Sequence, residues 1–278
     1  MAEGRLLAIF AHPDDETFGI GGTMARCAAR GIPVTMLCAT RGEVGEITPG
    51  SDATPDTLGR FREQELRDAM GMLGVTDVRF MGFRDSGMKG TPENDDPRAL
   101  VRAHPGAVTH MLVRAIRELR PAVVATWDES GGYGHPDHVA VHHHTTAAFH
   151  AAGDANEFPT AGAPWQPQRL FYTAIPMQEF VRVMEEMREA GIDVPSVAED
   201  DNALAELPRV EPNCIIDVGD LVATKEQAML AHRTQISDMD PFMRMPEDLR
   251  RRFFGREYFY QAHPVLAPGT MLDDLFAH

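Results

Sequence analysis

The stretch Leu6-Leu-Ala-Ile-Phe-Ala-His-Pro-Asp-Asp-Glu16 changes character abruptly at its midpoint. Leu6 to Phe10 is a short continuous apolar run, the pattern of a strand buried on both faces. It stops at His12 and Pro13, and three acids follow at once. Acids crowded just past a strand end are costly unless a cation sits among them. A second stretch of the same design, His135-Pro-Asp-His138, lies a short step after the apolar run 122–127.

Working outward, the pattern predicts strands over 5–10, 33–39, 78–83, 122–127, 169–175 and 214–218. Helical periodicity falls between them, over 21–30, 58–73, 108–119, 138–150, 177–190 and 221–232. Phe61, Leu66, Ala69, Met70 and Leu73 share one face of the second helix. This alternation implies βαβ units and an α/β fold, with a mostly parallel sheet carrying helices on both faces. Residues 40–59 and 84–104 read as long polar loops, and 191–212 as irregular. A connection rich in Pro, Ala and Gly at 153–168 separates a catalytic core, 1–152, from a smaller C-terminal portion, 153–278. That portion is expected to complete the sheet and a pocket wall within one continuous domain. Beyond residue 237 aromatics and arginines mix without a clear period; Phe253 and Phe254 suit either the core or a homo-oligomer interface. In parallel sheets ligands sit beyond the carboxyl ends of the strands. Both acid/His stretches are expected at that edge.

Composition narrows the partners. The chain has 278 residues and a formal net charge of −16, which speaks against nucleic acid and anionic membrane. A small-molecule substrate is expected instead. Cys27, Cys38 and Cys214 show no paired spacing and read as buried free thiols of a reducing compartment. No apolar run approaches the length of a membrane span and no signal peptide precedes the first strand, so a cytoplasmic location is expected.

The two stretches suggest one metal. His12 and Asp15, three apart, project to one side if a helical turn begins near Pro13. With His138 they would give zinc two imidazoles, one carboxylate and an open position, the pattern of a catalytic site. Zinc lowers the pKa of water to roughly 7 and polarises a carbonyl, which suits amide hydrolysis. Asp14, next to a ligand, is the expected general base. His135 is expected as an imidazolium that stabilises the oxyanion and protonates the leaving amine, with Asp137 as its partner and Tyr133 as a further donor. His142, His143 and His144 point to different sides of a helix and read as surface or packing residues.

Rival readings exist. Gly19-Ile-Gly-Gly22 hints at a dinucleotide fingerprint, but Met24 stands where the third glycine belongs and the acids would repel a pyrophosphate. A nucleotide-binding protein with merely structural acids is the alternative from another class.

At Ala11-His-Pro-Asp-Asp-Glu16 together with Tyr133-Gly-His-Pro-Asp-His138 the chain resembles the PIG-L/LmbE-type N-deacetylases, which include those of the mycothiol and bacillithiol pathways. Similarity extends through Thr40–Glu46, Arg62–Leu66 and Gly82–Met88, with a weaker echo at His232-Arg-Thr-Gln235. The resemblance implies a Rossmann-like domain carrying Zn2+, with Fe2+ as the alternative ion. The implied reaction removes acetyl from an N-acetylglucosaminyl glycoside or conjugate; cleavage of thiol S-conjugates is the alternative within the class. It also implies ligands His12, Asp15 and His138, base Asp14, and roles for His135, Asp137 and Tyr133 as above. Arg62 and Asp85 match positions that contact the sugar or the aglycone.

Overall fold

A computed structural model describes residues 4–174, 176–194 and 210–277. Its centre is a seven-stranded sheet in the order β3-β2-β1-β4-β5-β7-β6. The strands are β1 (Leu6–Phe10), β2 (Val34–Cys38), β3 (Asp77–Phe80), β4 (Val123–Thr126), β5 (Arg169–Thr173), β6 (Cys214–Asp217) and β7 (Arg256–His263). The first five run parallel. β7 runs antiparallel to both β5 and β6. Leu6 to Phe10 are fully buried, as their unbroken apolar run requires of a strand covered on both faces.

The helices are α1 (Asp15–Gly19), α2 (Gly21–Ala29), α3 (Leu58–Met72), α4 (Pro105–Leu119), α5 (Gly131–Gly134), α6 (Pro136–Ala151), α7 (Met177–Glu189), α8 (Val222–Ala231) and α9 (Glu247–Phe254). Proline occupies the first position of both α4 and α6, where a missing N–H costs no helical bond. Expected and observed elements agree within a few residues. The differences have local causes. The acidic turn after β1 is itself a short helix, α1. On α3, Leu66, Ala69 and Met70 are buried, but Phe61 is 39% exposed. The unassigned region past 237 holds α9 and β7, whose antiparallel pairing departs from the βαβ pattern. The predicted irregular segment 191–212 falls largely outside the described residues.

The order reverses between β1 and β4, the topological switch point at which open α/β sheets place their ligands. β1 delivers His12, Asp14 and Asp15 there, and β4 delivers Tyr133, His135 and His138. The C-terminal portion is tied to this edge by a buried ion pair. Lys225 of α8 donates to Glu257 of β7 at 2.7 Å and to the carbonyl of Phe18 in α1 at 2.9 Å. Glu257 also accepts the backbone N–H groups of Gly22 and Thr23 at 2.8 and 2.7 Å. The α2 N terminus, where a pyrophosphate would sit, is thus already occupied by a carboxylate, which removes the nucleotide-binding reading. Cys27, Cys38 and Cys214 are buried and free of disulfides. Among the described residues no helix is long and apolar enough to cross a membrane.

Candidate metal centre and active site

His12, Asp15 and His138 come together although His12 and His138 stand 126 residues apart. His12 Nδ1 faces His138 Nε2 at 3.1 Å. Asp15 carboxylate oxygens lie 3.3 Å from His138 Nε2 and 3.7 Å from His12 Nδ1. All three side chains are nearly or fully buried. The hydrogen-bond network assigns the tautomers. His138 Nδ1–H donates to the Gly131 carbonyl at 3.0 Å, leaving Nε2 as a lone pair. His12 Nε2–H points to Asp137 at 3.2 Å and Asp85 at 3.5 Å, leaving Nδ1 as a lone pair. Asp15 accepts the backbone N–H groups of Ala11 and His12 at 3.1 and 2.8 Å.

One ring nitrogen from each histidine and the two oxygens of Asp15 therefore converge, each with a lone pair turned inward. Such a cluster calls for a cation. Tetrahedral zinc with bonds of about 2.0–2.1 Å has donor–donor edges of about 3.3–3.4 Å. The 3.1 Å between the two ring nitrogens and the 3.3 Å from His138 Nε2 to Asp15 Oδ1 lie near that figure, while the 3.7 Å contact of His12 is with the other Asp15 oxygen. The donor set of two imidazoles and a carboxylate fits a catalytic ion. The surrounding carboxylates favour positive charge at this place. Burial alone would lower the His12 pKa, but hydrogen bonds to Asp137 and Asp85 and the charges of Asp85 and Asp15 hold it well above the usual imidazole value. Burial would raise Asp15, yet His138 and His12 keep it below the ordinary carboxylate range. The centre attracts positive charge.

Local backbone geometry builds this arrangement. Gly131 has a φ of +63°, and a Cβ there would meet His138 Cβ at 2.6 Å. Glycine is required for its carbonyl to reach the His138 ring. Trp127 stacks flat on the same ring, with centroids 4.3 Å apart and an interplanar angle of 8°.

Asp14 stands beside the centre with φ +116°, unusual for a residue bearing a side chain. Its carboxylate meets Arg62 at 3.1 Å. Burial raises its pKa, the Arg62 charge opposes this, and Asp15 adds to it. Arg62 is itself buried; it donates to the carbonyls of Pro13 at 2.6 Å and Gly42 at 2.9 Å. Gly42, at φ +62°, lets the guanidinium pass, since a Cβ would lie 2.2 Å from Nη1. Asp85 likewise lies buried against His12 and accepts the Gly87 N–H at 2.9 Å. Of the two residues expected at the substrate, Arg62 is packed against Asp14 and Asp85 against His12.

The expected pairing of Asp137 with His135 is not the one formed. The Asp137 carboxylate reaches His12, the Ser86 N–H at 2.9 Å and the Ser86 hydroxyl. What reaches His135 is the Asp137 backbone N–H, which donates to Nδ1 at 3.1 Å and caps α6. Nor is His135 an imidazolium. Burial and the neighbouring His12 and His138 lower its pKa to about 4. Tyr133, 48% exposed, places its ring edge-on to His138 at 5.0 Å. Burial and the Asp15 and Asp14 charges keep its phenol protonated. His142 and His144 stay outside the centre, at the Trp127 carbonyl (2.9 Å) and Thr109 (3.2 Å).

Sequence reasoning missed Glu16 and His232. Both are fully buried, and His232 Nε2 donates to Glu16 at 2.8 Å. The other Glu16 oxygen accepts the Asp14 N–H at 2.9 Å. The echo at 232–235 supplies the whole tie: Thr234 donates to Glu65 of α3 at 2.7 Å and Gln235 to the Glu46 carbonyl at 2.9 Å. Its weak likeness to the family pattern was the available signal.

Comparison with known proteins agrees with this geometry. The family model described as PIG-L, GlcNAc-PI de-N-acetylase, matches residues 7–149. A 1D-myo-inositol 2-acetamido-2-deoxy-alpha-D-glucopyranoside deacetylase from Geodermatophilus obscurus is 40% identical, covering 98% of this chain and 97% of the relative. The protein of that name from Rhodococcus jostii is 42% identical over 85% and 83% of the two chains. Among solved structures, the N,N'-diacetylchitobiose deacetylase of Pyrococcus horikoshii superposes with a TM-score of 0.66 at 20% identity, over 95% and 88% of the chains. A 4-carboxy-2-hydroxymuconate hydratase shares the fold at 16% identity, a TM-score of 0.61 and coverage of 95% and 99%, so the fold by itself does not name the reaction. A family match that contains both acid/His stretches, and relatives aligned along nearly the whole length, decide the matter: the chain belongs to the PIG-L family and is a hydrolytic N-deacetylase.

Proposed function

We propose that this enzyme removes the acetyl group from an N-acetylglucosaminyl glycoside, with the inositol glycoside named for its relatives as first candidate. The observation that carries the reading is the convergence of His12 Nδ1, His138 Nε2 and Asp15 beside the Asp14 carboxylate. The ion they would hold, zinc ahead of iron(II), supplies Lewis acidity that polarises the amide carbonyl and makes water acidic near neutrality.

The chain's own residues do the rest. Asp14 takes a proton from the attacking water, and a carboxylate raised by burial is the better base for it. Arg62 holds that carboxylate in place. His135, neutral with its proton on Nε2 because Nδ1 accepts from Asp137 N–H, donates a hydrogen bond to the developing oxyanion. Tyr133, protonated and at the rim, is a second donor. As the carbon–nitrogen bond breaks, Asp14 returns its proton to the departing amine, so acetate and a free amino sugar leave. The test is acetate release from the inositol N-acetylglucosaminide by zinc-reconstituted protein. Asp14→Ala is expected to keep its metal and lose about 10²–10⁴ in kcat. Loss of the metal in that variant would make Asp14 a ligand and sink the assignment.

A further inference from the structure

The loop at 84–104 reads in the sequence as a polar surface connection, yet one of its residues is fully buried beside the metal centre. Ser86 lies against Asp137, which is also fully buried. The Ser86 backbone N–H donates to Asp137 Oδ2 at 2.9 Å, and the Ser86 hydroxyl donates to Oδ1. The same Oδ2 faces His12 Nε2 at 3.2 Å. One Ser86 donor on each oxygen fixes the plane of the carboxylate, which a single contact with an imidazole would leave free to turn. The tilt of the His12 ring, and the direction of its Nδ1 lone pair, then follow from where Ser86 stands.

What holds Ser86 belongs to neither acid/His stretch. Its hydroxyl accepts the Val101 N–H at 3.2 Å, which leaves the hydroxyl proton for Asp137. Its carbonyl accepts from Asn94 Nδ2 at 2.6 Å, and among the described residues no other donor reaches it. The Asn94 amide gathers the rest of the turn. Nδ2 also donates to the Met88 carbonyl at 3.1 Å, and Oδ1 accepts the Gly90 N–H at 2.8 Å. Gly87 at φ +68° and Gly90 at φ +90° let the chain coil round this one side chain. The turn has no strand or helix ladder of its own, so without Asn94 its inward carbonyls lose their donor and Ser86 its anchor.

Resting on the metal reading above, we propose that Asn94 is a positioning residue for the metal centre. Through Ser86 and Asp137 it sets the His12 ring, and so the hold on the ion. Among the described residues its side chain bonds only to the backbone of 86–90, so its route to the ion runs through that turn. The turn has a second branch. The Gly87 N–H donates to Asp85, whose carboxylate lies 3.5 Å from His12 Nε2, and the experiment separates the two.

That experiment measures the zinc affinity of the full-length protein by competition with a chelator, with urea unfolding as the control for fold. Ser86→Ala is expected to weaken zinc binding about tenfold, the low end for a group behind a metal ligand, because the backbone N–H still reaches Asp137. Asn94→Ala, one step further out, is expected to weaken it by about threefold to tenfold. In an Asp137→Ala background the same Asn94→Ala change is expected to cost less than about twofold, because the connection is already cut. Activity lost in Asn94→Ala should return at saturating zinc. Asn94→Asp keeps the shape and loses the donors, and it decides if the alanine variant fails to fold. A role in folding alone would lower the urea midpoint and leave the zinc affinity of the folded protein as it was. Zinc affinity unchanged or tightened in the Asn94 variants overturns the proposal. So does an equal loss with and without Asp137, which would assign the effect to Asp85. A wild type that binds no zinc overturns the metal reading as well.

Discussion

The Asp14 backbone N–H donates to Glu16 across 2.9 Å while Asp14 itself sits at φ +116°. A residue with a side chain held there costs about 1–3 kcal/mol, so its surroundings must over-determine it. Glu16 does so from one side and is itself fixed by His232. His232→Leu removes the second anchor. The expected outcome is a kcat about 10–100 times lower with KM within about twofold and metal content unchanged. His232→Gln, which keeps a donor for Glu16, is expected to recover most of the loss. Steady-state kinetics with metal analysis checks both.

Arg62 lowers the Asp14 pKa against the upward push of burial. The base acts as its carboxylate, so kcat/KM falls as pH drops through its pKa. Arg62→Met removes the opposing charge and lets that pKa rise. The acid limb of the pH profile should therefore move to higher pH, and the profile should converge with wild type on the alkaline side of the limb. An acid limb that stays put or moves down would show that Arg62 does not tune the base.

Asp137 fixes the His12 ring through Nε2, so Asp137→Asn should act on metal retention. A loss of about 10–100-fold in affinity is expected, read by competition with a chelator. Chelation of the wild type should abolish turnover, and added zinc should restore it.

Lys225 and Glu257 are both 1% exposed at their side chains. Lys225→Met leaves the carboxylate buried with one cation fewer, and breaking such pairs costs about 3–5 kcal/mol. Urea unfolding should show that loss. Lys225→Met combined with Glu257→Gln, which removes the stranded charge, should be less destabilised than the single variant.

The first four strands, their parallel order and the meeting of His12, Asp15 and His138 were legible because each rests on local signals. These are apolar runs, a proline after a strand, and His/Asp spacing within one turn. What escaped depends on contacts with no local signature. Glu16 finds His232 across 216 residues, and Asp137 finds Ser86 across 51. Spacing favoured His135 as the partner of Asp137, but a helix-capping histidine turns its ring toward the backbone, leaving that carboxylate free to cross to His12. Arg62 reads as a solvated helix charge until the loop carrying Gly42 folds over it. The antiparallel β7 was hidden because its aromatics and charges mimic neither a buried parallel strand nor an amphipathic helix.

With Glu257 seated on the α2 N terminus, conversion of this scaffold into a cofactor carrier is blocked by more than its missing glycine. Evicting the glutamate alone would strand an ammonium in the interior, and evicting the lysine alone would strand an anion. Clearing that helix end for a phosphate therefore takes both substitutions together.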